Sequence, residues 1–208
     1  MMPINRICVF CGSSTGVKPS YAAAATELGQ QLAARNIELV YGGGTVGLMG
    51  SVAHCCFQAG EKVVGVIPEA LNDTALSGQM IVELFVTKDM HERKAKMSEL
   101  ATMAFVALPG GLGTMEELFE VLTWAQLGFH QKPVAVLNIE GYFDGLVSFL
   151  KHSVDQGFIR ECHASNLIVA KDLDELFSTI ESWRPVTSLI ESIKSSASMW
   201  VSDKEAGV

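Results

Sequence analysis

The segment LPGGLGTMEELFE, at residues 108–120, places one proline and three glycines between an apolar run and the start of a helix-forming segment. The apolar residues AFVALPG at 104–110 are typical of a buried strand, and TMEELFEVLTWAQLG at 114–128 carries apolar residues at helical spacing. A strand, a turn and a helix in this order form the repeating unit of α/β proteins. The segment therefore predicts an α/β fold, and its glycines mark a turn where the backbone is closely approached.

The same alternation of strand and helix runs through most of the chain. Short apolar or β-branched runs, typical of buried parallel strands, occur at 6–11, 37–42, 62–68, 104–110, 132–139 and 166–170, with a weaker run at 81–87. Helix-length segments lie at 20–35, 47–60, 90–101, 114–128, 142–157 and 172–183. This order predicts a Rossmann-like, doubly wound parallel sheet in a single domain.

Two regions depart from the alternation. The chain of 208 residues suffices for one domain that buries roughly 70% of its unfolded surface, and we assign this domain to residues 1–183. Residues 184–208 contain many serines, and we expect a docked helical turn followed by a loose tail. The longest loop within the core region, at 70–80, is a candidate lid or ligand wall.

Composition excludes several classes of partner. The formal net charge is −8 and the basic residues are scattered, which argues against binding to a nucleic-acid backbone. No apolar run approaches the roughly 18 residues of a membrane span. The first residues, MMPINRICVF, lack the features of a secretory signal, so we expect a cytoplasmic protein.

Cysteine and histidine residues give no sign of a metal site. Cys8 and Cys11 form a CxxC pattern, but residues three apart in a strand point to opposite faces, so the two thiols could not hold one ion. We interpret the five cysteines as small buried hydrophobic residues in a reducing compartment. The histidines lack ligand spacing, and we expect neither metal nor organic cofactor.

Three glycine turns follow predicted strands, and they suggest a nucleotide-sized ligand. They comprise Gly12-Ser13-Ser14, Gly42-Gly43-Gly44-Thr45 and Gly110-Gly111-Leu112-Gly113-Thr114. In an open α/β sheet, ligands bind at the carboxyl ends of the strands, where loops lead into helices. Helix N-termini present unpaired N–H groups and the positive end of the helix dipole, which bind anions.

The second turn also matches a dinucleotide fingerprint, with Gly42, Gly44 and Gly47 followed by Glu69 at the end of the next strand. The match lies on the second strand–helix unit rather than the first, so NAD binding is a weaker alternative.

Thr114 and Glu117 have the spacing of a capping box, in which Glu117 would reach back over the first helical turn. A carboxylate in that turn would be kept ionised by the helix dipole and the backbone amides. Such a group suits a base or a cation-stabilising role better than that of a general acid. Capping and catalysis are both open interpretations of Glu117.

Arg93 provides a candidate counterpart. It shares the predicted apolar helix face of Met90 and Met97, where a guanidinium needs a partner. The guanidinium could be aimed at a phosphate or at Glu117, with Lys94 as a neighbouring charge. Alternatively, the stem of Arg93 is buried and its head reaches water.

Two segments together, MHERKA at 90–95 and PGGLGTMEE at 109–117, resemble the signature of the LONELY GUY (LOG) family of cytokinin riboside 5′-monophosphate phosphoribohydrolases. The matched residues are Met90, Arg93, Lys94 and Ala95, then Pro109, Gly110, Gly111, Gly113, Thr114 and Glu117. The likeness extends through VFCGSS, YGGGTVGLMG and TWAQLGFHQKP and covers about residues 5–170.

This resemblance implies hydrolysis of the N-glycosidic bond of an adenine-type nucleoside 5′-monophosphate, which releases the free base and ribose 5-phosphate. It also implies a homodimer with the site near the interface, and no cofactor. Arg93 and Glu117 correspond to the catalytic pair. With the glycine turns, the predicted substrate-binding set comprises Gly12, Ser13, Gly43, Met90, Arg93, Lys94, Gly110, Gly111, Leu112, Gly113, Thr114, Met115 and Glu116.

The sequence departs from the plant-type pattern in the long loop, where Ala75 occupies the position of a glutamate. This difference leaves the choice between prenylated and plain adenine open. Some relatives carry the label lysine decarboxylase, but the sequence shows no strand-end lysine suited to a pyridoxal Schiff base. The rival hypothesis from another class is a regulatory module that binds a nucleotide without turnover.

Overall fold

The computed structural model describes residues 5–72 and 83–190, which form one sheet of seven parallel strands covered by helices. The strands are β1 (Arg6–Phe10), β2 (Glu38–Tyr41), β3 (Val63–Pro68), β4 (Glu83–Thr87), β5 (Ala104–Ala107), β6 (Val134–Leu137) and β7 (Leu167–Ala170). Their order across the sheet is β4-β3-β2-β1-β5-β6-β7. Each predicted strand run contains one of these strands, and the predicted α/β Rossmann-like class is confirmed.

Helices follow the strands along the chain. They are α1 (Pro19–Ala34), α2 (Gly47–Gln58), α3 (Glu69–Asn72), α4 (Met90–Leu100), α5 (Leu112–Leu127), α6 (Asp144–Asp155), α7 (Glu161–Ala164) and α8 (Leu173–Ser182), with a 3₁₀ turn at Ile139–Gly141. The six predicted helices are confirmed, with boundaries that shift by at most two residues. The short helices α3 and α7 and the 3₁₀ turn carry too few residues for a periodic pattern.

Two apolar cores lie on opposite faces of the sheet. Ile7, Val9 and Cys11 belong to the core beneath α1, α2 and α8, whereas Cys8 and Phe10 belong to the core beneath α4, α5 and α6. The alternation of strand side chains thus separates the two thiols of the CxxC pattern. Both thiols are buried, as predicted, but Cys55 is half-buried and Cys162 is exposed, so the prediction of five buried cysteines is wrong for these two.

The strand order reverses between β1 and β5, which pair in parallel from Ile7 with Ala104 to Phe10 with Ala107. From this point the chain winds outward in both directions. A reversal of this kind opens a crevice at the carboxyl ends of the two central strands, where α/β proteins bind their ligands. The turns that begin at Gly12 and Leu108 both start at this crevice.

Some predictions lie outside the described residues. They include most of the loop at 70–80, the substitution at Ala75 and the tail beyond residue 190. The domain boundary at residue 183 stays a prediction, although Ser188 lies against Gly128 at the end of α5. No helix in the described ranges combines the length and the hydropathy that crossing a membrane requires.

Candidate active site

A cavity of about 470 Å³ opens at the carboxyl edge of the sheet, above the reversal between β1 and β5. Residues of all three glycine turns line it, so their predicted convergence is confirmed. The lining residues are Cys11, Gly12, Ser13, Gly42, Gly44, Thr45, Val46, Met49, Ile67, Leu71, Met90, Arg93, Gly111, Leu112, Gly113, Thr114, Glu116 and Glu117. Its volume is typical of sites for small molecules.

Four residues of the predicted binding set do not line this cavity. Met115 packs against the core beneath α5, and Gly43 turns toward Ile67. Lys94 is directed at carboxylates of α5, and Gly110 is enclosed between Gly12 and Thr114. In each case the residue lies against another part of the protein, and motif spacing does not reveal this contact.

Arg93 and Glu117 form a buried ion pair in the wall of the cavity. The Nη1 group of Arg93 donates a hydrogen bond of 2.8 Å to Oε1 of Glu117, joining α4 to α5. Both residues are more than 90% buried, so the contact is little screened by solvent. Of the two partners predicted for the guanidinium, Glu117 is the one that it contacts.

The position of Arg93 is fixed by two further features. Its Nε donates to the carbonyl oxygen of Val66 at 3.0 Å, at the end of β3. A Cβ atom on Gly42 would lie 2.1 Å from Nη2 of Arg93, so the turn after β2 can approach the guanidinium only because residue 42 is glycine. The hydrogen bonds to Val66 and Glu117 use two of the five N–H donors of the guanidinium. Gly42 therefore makes room for the guanidinium of Arg93 in the wall of the cavity.

Burial raises the pKa of Glu117, because the carboxylate loses hydration, while the nearby guanidinium of Arg93 opposes this rise. The sequence-based prediction of a carboxylate held ionised by a helix terminus is therefore wrong. Helix α5 begins at Leu112, which places Glu117 in its second turn rather than its first. Arg93, not the helix dipole, is the principal group that favours the ionised form.

The predicted capping box at Thr114 and Glu117 is also wrong. The N-cap of α5 is Gly111, and no side chain in the described part of the chain caps this helix. A reciprocal arrangement occurs instead at α4, where Asp89 accepts from the N–H groups of His91 and Glu92 and Glu92 accepts from the N–H of Lys88. Because Glu117 is not engaged in capping, its carboxylate is directed at Arg93.

The N-terminus of α5 is open to the cavity, whereas that of α2 is not. The first N–H groups of a helix have no intrahelical partner, and in α5 these belong to Leu112, Gly113 and Thr114. In α2 the N–H groups of Leu48 and Met49 donate to the carbonyl of Gly12 at 3.0 and 3.3 Å. The glycines of the dinucleotide fingerprint therefore lead into a helix whose first free N–H groups already donate to Gly12. This arrangement disfavours dinucleotide binding.

Lys94 pairs with two carboxylates of α5 that lie next to the Arg93–Glu117 ion pair. Its Nζ contacts the carboxylates of Glu116 and Glu120, the latter at 3.0 Å. Glu116 lines the cavity, and its side chain remains half-exposed. Lys94 therefore acts on the cavity through Glu116.

Comparison with known proteins identifies the family. Residues 49–180 match a family model described as "Possible lysine decarboxylase". Cytokinin riboside 5′-monophosphate phosphoribohydrolase LOG1 of Arabidopsis thaliana is 49% identical over 92% of this chain and 89% of its own length. LOG7 of the same plant is 51% identical over 87% of this chain and 83% of its own. The chain belongs to the LOG family.

Solved structures support the fold of this LOG-family chain. The molybdenum cofactor binding protein of Rippkaea orientalis aligns with a TM-score of 0.65 at 22% identity, covering 88% of this chain and 98% of that one. The Moco carrier protein of Chlamydomonas reinhardtii aligns with a TM-score of 0.63 at 23% identity, over 86% and 97% of the two chains. At these identities the likeness is one of fold.

The description of the family model does not fit the cavity of this LOG-family chain. A pyridoxal-dependent decarboxylase holds its cofactor through a lysine. None of the described residues that line the cavity is a lysine, and Lys94 is engaged by Glu116 and Glu120. The described residues also contain no group of three or more side chains suited to hold a metal ion.

The prediction of site residues missed the apolar side of the LOG-family cavity. Cys11, Met49, Ile67 and Leu71 line it, together with Val46. Their only signal in the sequence is position, since each lies at or just beyond the carboxyl end of a strand or at the start of the following helix. Apolar residues are common at such places, so this signal does not separate a cavity wall from ordinary packing.

Proposed function

We propose that this chain hydrolyses the N-glycosidic bond of adenine-type cytokinin nucleoside 5′-monophosphates to give the free base and ribose 5-phosphate. The observation that carries the proposal is the buried carboxylate of Glu117, held by Arg93 in a cavity that also contains the open N-terminus of α5. The curated relatives bear the names of enzymes with this activity, which favours an enzyme over a regulatory module.

The start of α5 is the proposed phosphate site. Gly111 and Gly113 leave open space where a Cβ would stand, so a phosphate can approach the backbone amides closely. The helix dipole adds to the attraction of the N–H groups of Leu112, Gly113 and Thr114. This local set of donors accounts for binding of an anion by a chain of net charge −8.

The spacing along α5 suits a ribose between the phosphate and the carboxylate. Glu117 follows Leu112 by five residues, which corresponds to about 7.5 Å along the helix axis. Helical side chains lean toward the N-terminus, so the carboxylate approaches the anion site more closely than its backbone does. A ribose whose 5′-phosphate caps the helix would therefore present its sugar ring to Glu117.

Glu117 would act on the charge that develops as the bond breaks. Cleavage of an N-glycosidic bond gives the ribose oxocarbenium character, and an ionised carboxylate stabilises that cation and orients the attacking water. Oε2 of Glu117 accepts no hydrogen bond from the described residues and is available for this role. Arg93 would keep the carboxylate ionised and correctly oriented.

The apolar wall is the proposed site of the base. Ile67, Met49 and Leu71 line the same cavity as the polar pair, and an adenine or its apolar N6 substituent would be buried against them. The acceptance of plain AMP beside prenylated nucleotides is part of the proposal.

A homodimer is the proposed assembly, with the cavity near the interface. Leu112 at the cavity mouth is 91% exposed, and Val46 and Met90 on the same rim are also exposed. Apolar side chains that cluster on a rim in this way favour cover by a second copy. Light scattering of the purified protein would show a particle of twice the chain mass, whereas a monomer would contradict the assembly.

Incubation with a panel of nucleotides tests the activity. AMP, isopentenyladenosine 5′-monophosphate and unphosphorylated isopentenyladenosine should be compared, with chromatography of the base and enzymatic measurement of ribose 5-phosphate. We expect equimolar base and ribose 5-phosphate from the nucleotides and far less product from the nucleoside. Nucleotide binding without product would favour the regulatory module and overturn the proposal.

A further inference from the structure

Tyr142 contacts the glycine turn at the start of α5 from outside the cavity. Its hydroxyl donates a hydrogen bond of 2.5 Å to the carbonyl oxygen of Gly110. The residue lies 32 positions further along the chain and outside the paired signature segments, in the turn before α6. This hydrogen bond therefore joins the loops that follow β5 and β6 at the carboxyl edge of the sheet.

The hydrogen bond fixes the orientation of one peptide unit. In a trans peptide the C=O and N–H groups point in opposite directions, so the N–H of Gly111 points away from Tyr142. The preceding carbonyl, of Pro109, accepts from the N–H of Gly12 at 3.0 Å. Two successive carbonyls of the turn are thus held, and the N–H that follows them belongs to Gly111, which lines the cavity.

Glycine at positions 110 and 111 makes such a restraint necessary. A peptide between two glycines has wide conformational freedom, and its flip would reverse the direction of the N–H. No atom of another described residue lies within 4 Å of the place where a Cβ of Gly111 would stand, so side-chain packing does not fix it. The hydroxyl of Tyr142 is a direct restraint on this peptide unit.

Tyr142 is itself held in place. Its ring makes edge contacts with Tyr21 and Phe143, at centroid distances of 5.9 and 5.1 Å. Phe143 is buried in the core beneath α6, and its N–H donates to the side chain of Asn138 at 2.7 Å. The hydroxyl is therefore preorganised by the turn after β6, and it does not depend on a bound ligand.

We propose that Tyr142 is a positioning residue that keeps the N–H of Gly111 directed at the 5′-phosphate of the substrate. This inference rests on the proposed function for the identity of the anion. Among the described residues the hydroxyl is hydrogen-bonded to the backbone of the turn alone, so its loss changes binding of the phosphate and leaves the Arg93–Glu117 pair intact.

The test compares Tyr142→Phe with Tyr21→Phe, a control that removes a neighbouring hydroxyl and keeps the ring contact. We expect Tyr142→Phe to raise KM for isopentenyladenosine 5′-monophosphate about 3- to 10-fold, with kcat within about twofold of the parent. Calorimetric affinity for ribose 5-phosphate should fall by a similar factor, while that for unphosphorylated isopentenyladenosine stays unchanged. Tyr21→Phe should leave all these values unchanged.

Three results would overturn the inference: an unchanged KM, an equal loss of affinity for nucleotide and nucleoside, or a fall in kcat alone. Equal losses would mean that Tyr142 supports the fold in general, and thermal melting of the variant would show it. The calorimetric arm needs no turnover. If the parent protein releases no base, the proposed function fails, while the ribose 5-phosphate affinities still decide the role of Tyr142.

Discussion

The N–H of Gly12 donates to the carbonyl oxygen of Pro109 at 3.0 Å, which joins the turn after β1 to the turn after β5 at the point where the strand order reverses. Gly110, the next residue, is enclosed by this contact. A Cβ there would lie 2.8 Å from the backbone nitrogen of Gly12 and 2.1 Å from Oγ1 of Thr114. The reversal point of the sheet is therefore closed by backbone packing that admits no side chain at residue 110.

This packing predicts that alanine has opposite effects on stability at Gly110 and at Gly113. Gly110→Ala should lower the free energy of unfolding by about 1–3 kcal/mol, because the new methyl group meets backbone that cannot yield. Gly113→Ala should raise it by about 0.5 kcal/mol, because the methyl group enters open space on a helix and glycine is a poor helix former. Urea denaturation followed by circular dichroism measures both values, and equal effects of the two substitutions would contradict this account of the turn.

The contact between Gly42 and Arg93 predicts a loss of activity without a large loss of stability. Gly42→Ala should displace the guanidinium, since its Nη2 would be 2.1 Å from the new Cβ and the arginine head is the part that can move. We expect kcat/KM for isopentenyladenosine 5′-monophosphate to fall about 100-fold, because misplacement of about 1 Å in a catalytic group can have this effect. Steady-state base release measures it.

A matched control is Gly145→Ala, in which a glycine of α6 gains a methyl group in open space. Its kcat/KM should equal that of the parent protein. Parent-like activity of Gly42→Ala would show that the position of the guanidinium does not matter for turnover.

The pKa of Glu117 predicts the acid side of the pH–rate profile. Burial raises this pKa, and activity requires the ionised form, so kcat/KM should fall as pH decreases through a value above the ordinary glutamate pKa. The charge of Glu116 adds to the rise, so Glu116→Gln should move the acid limb to lower pH. The substrate phosphate also titrates, near a pH of about 6, but identically for both proteins. A shift to higher pH in Glu116→Gln would contradict the assignment.

The order of elements was predictable because β-branched runs and helical spacing are local signals. The convergence of the three glycine turns was predictable as well, since parallel strands bring their carboxyl ends to one edge of the sheet. Glu117 and Arg93 were singled out by their helix positions, and the paired signature segments then indicated that they act together. Their direct contact was one of three alternatives that the spacing left open, beside a phosphate and water.

The individual roles of the glycines were not predictable. In the sequence, Gly42 and Gly43 are equivalent members of one turn, but only Gly42 lies against the guanidinium of Arg93, which comes from a helix 51 residues further along the chain. The start of α5 at Leu112 was also hidden, because Thr114 and Glu117 have the spacing of a cap that the glycine turn replaces. Both features depend on contacts distant in sequence, and local patterns carry no information about them.

The most direct test of the account is base release from isopentenyladenosine 5′-monophosphate at saturating concentration by the parent protein and by Glu117→Gln. Glutamine keeps the size of the side chain and an oxygen that can accept from Arg93, but it has no negative charge to oppose the sugar cation. We predict that kcat falls by at least about 100-fold in Glu117→Gln, while calorimetric affinity for ribose 5-phosphate remains within a few-fold of the parent value. Equal kcat values for the two proteins would contradict the central role of the Glu117 carboxylate.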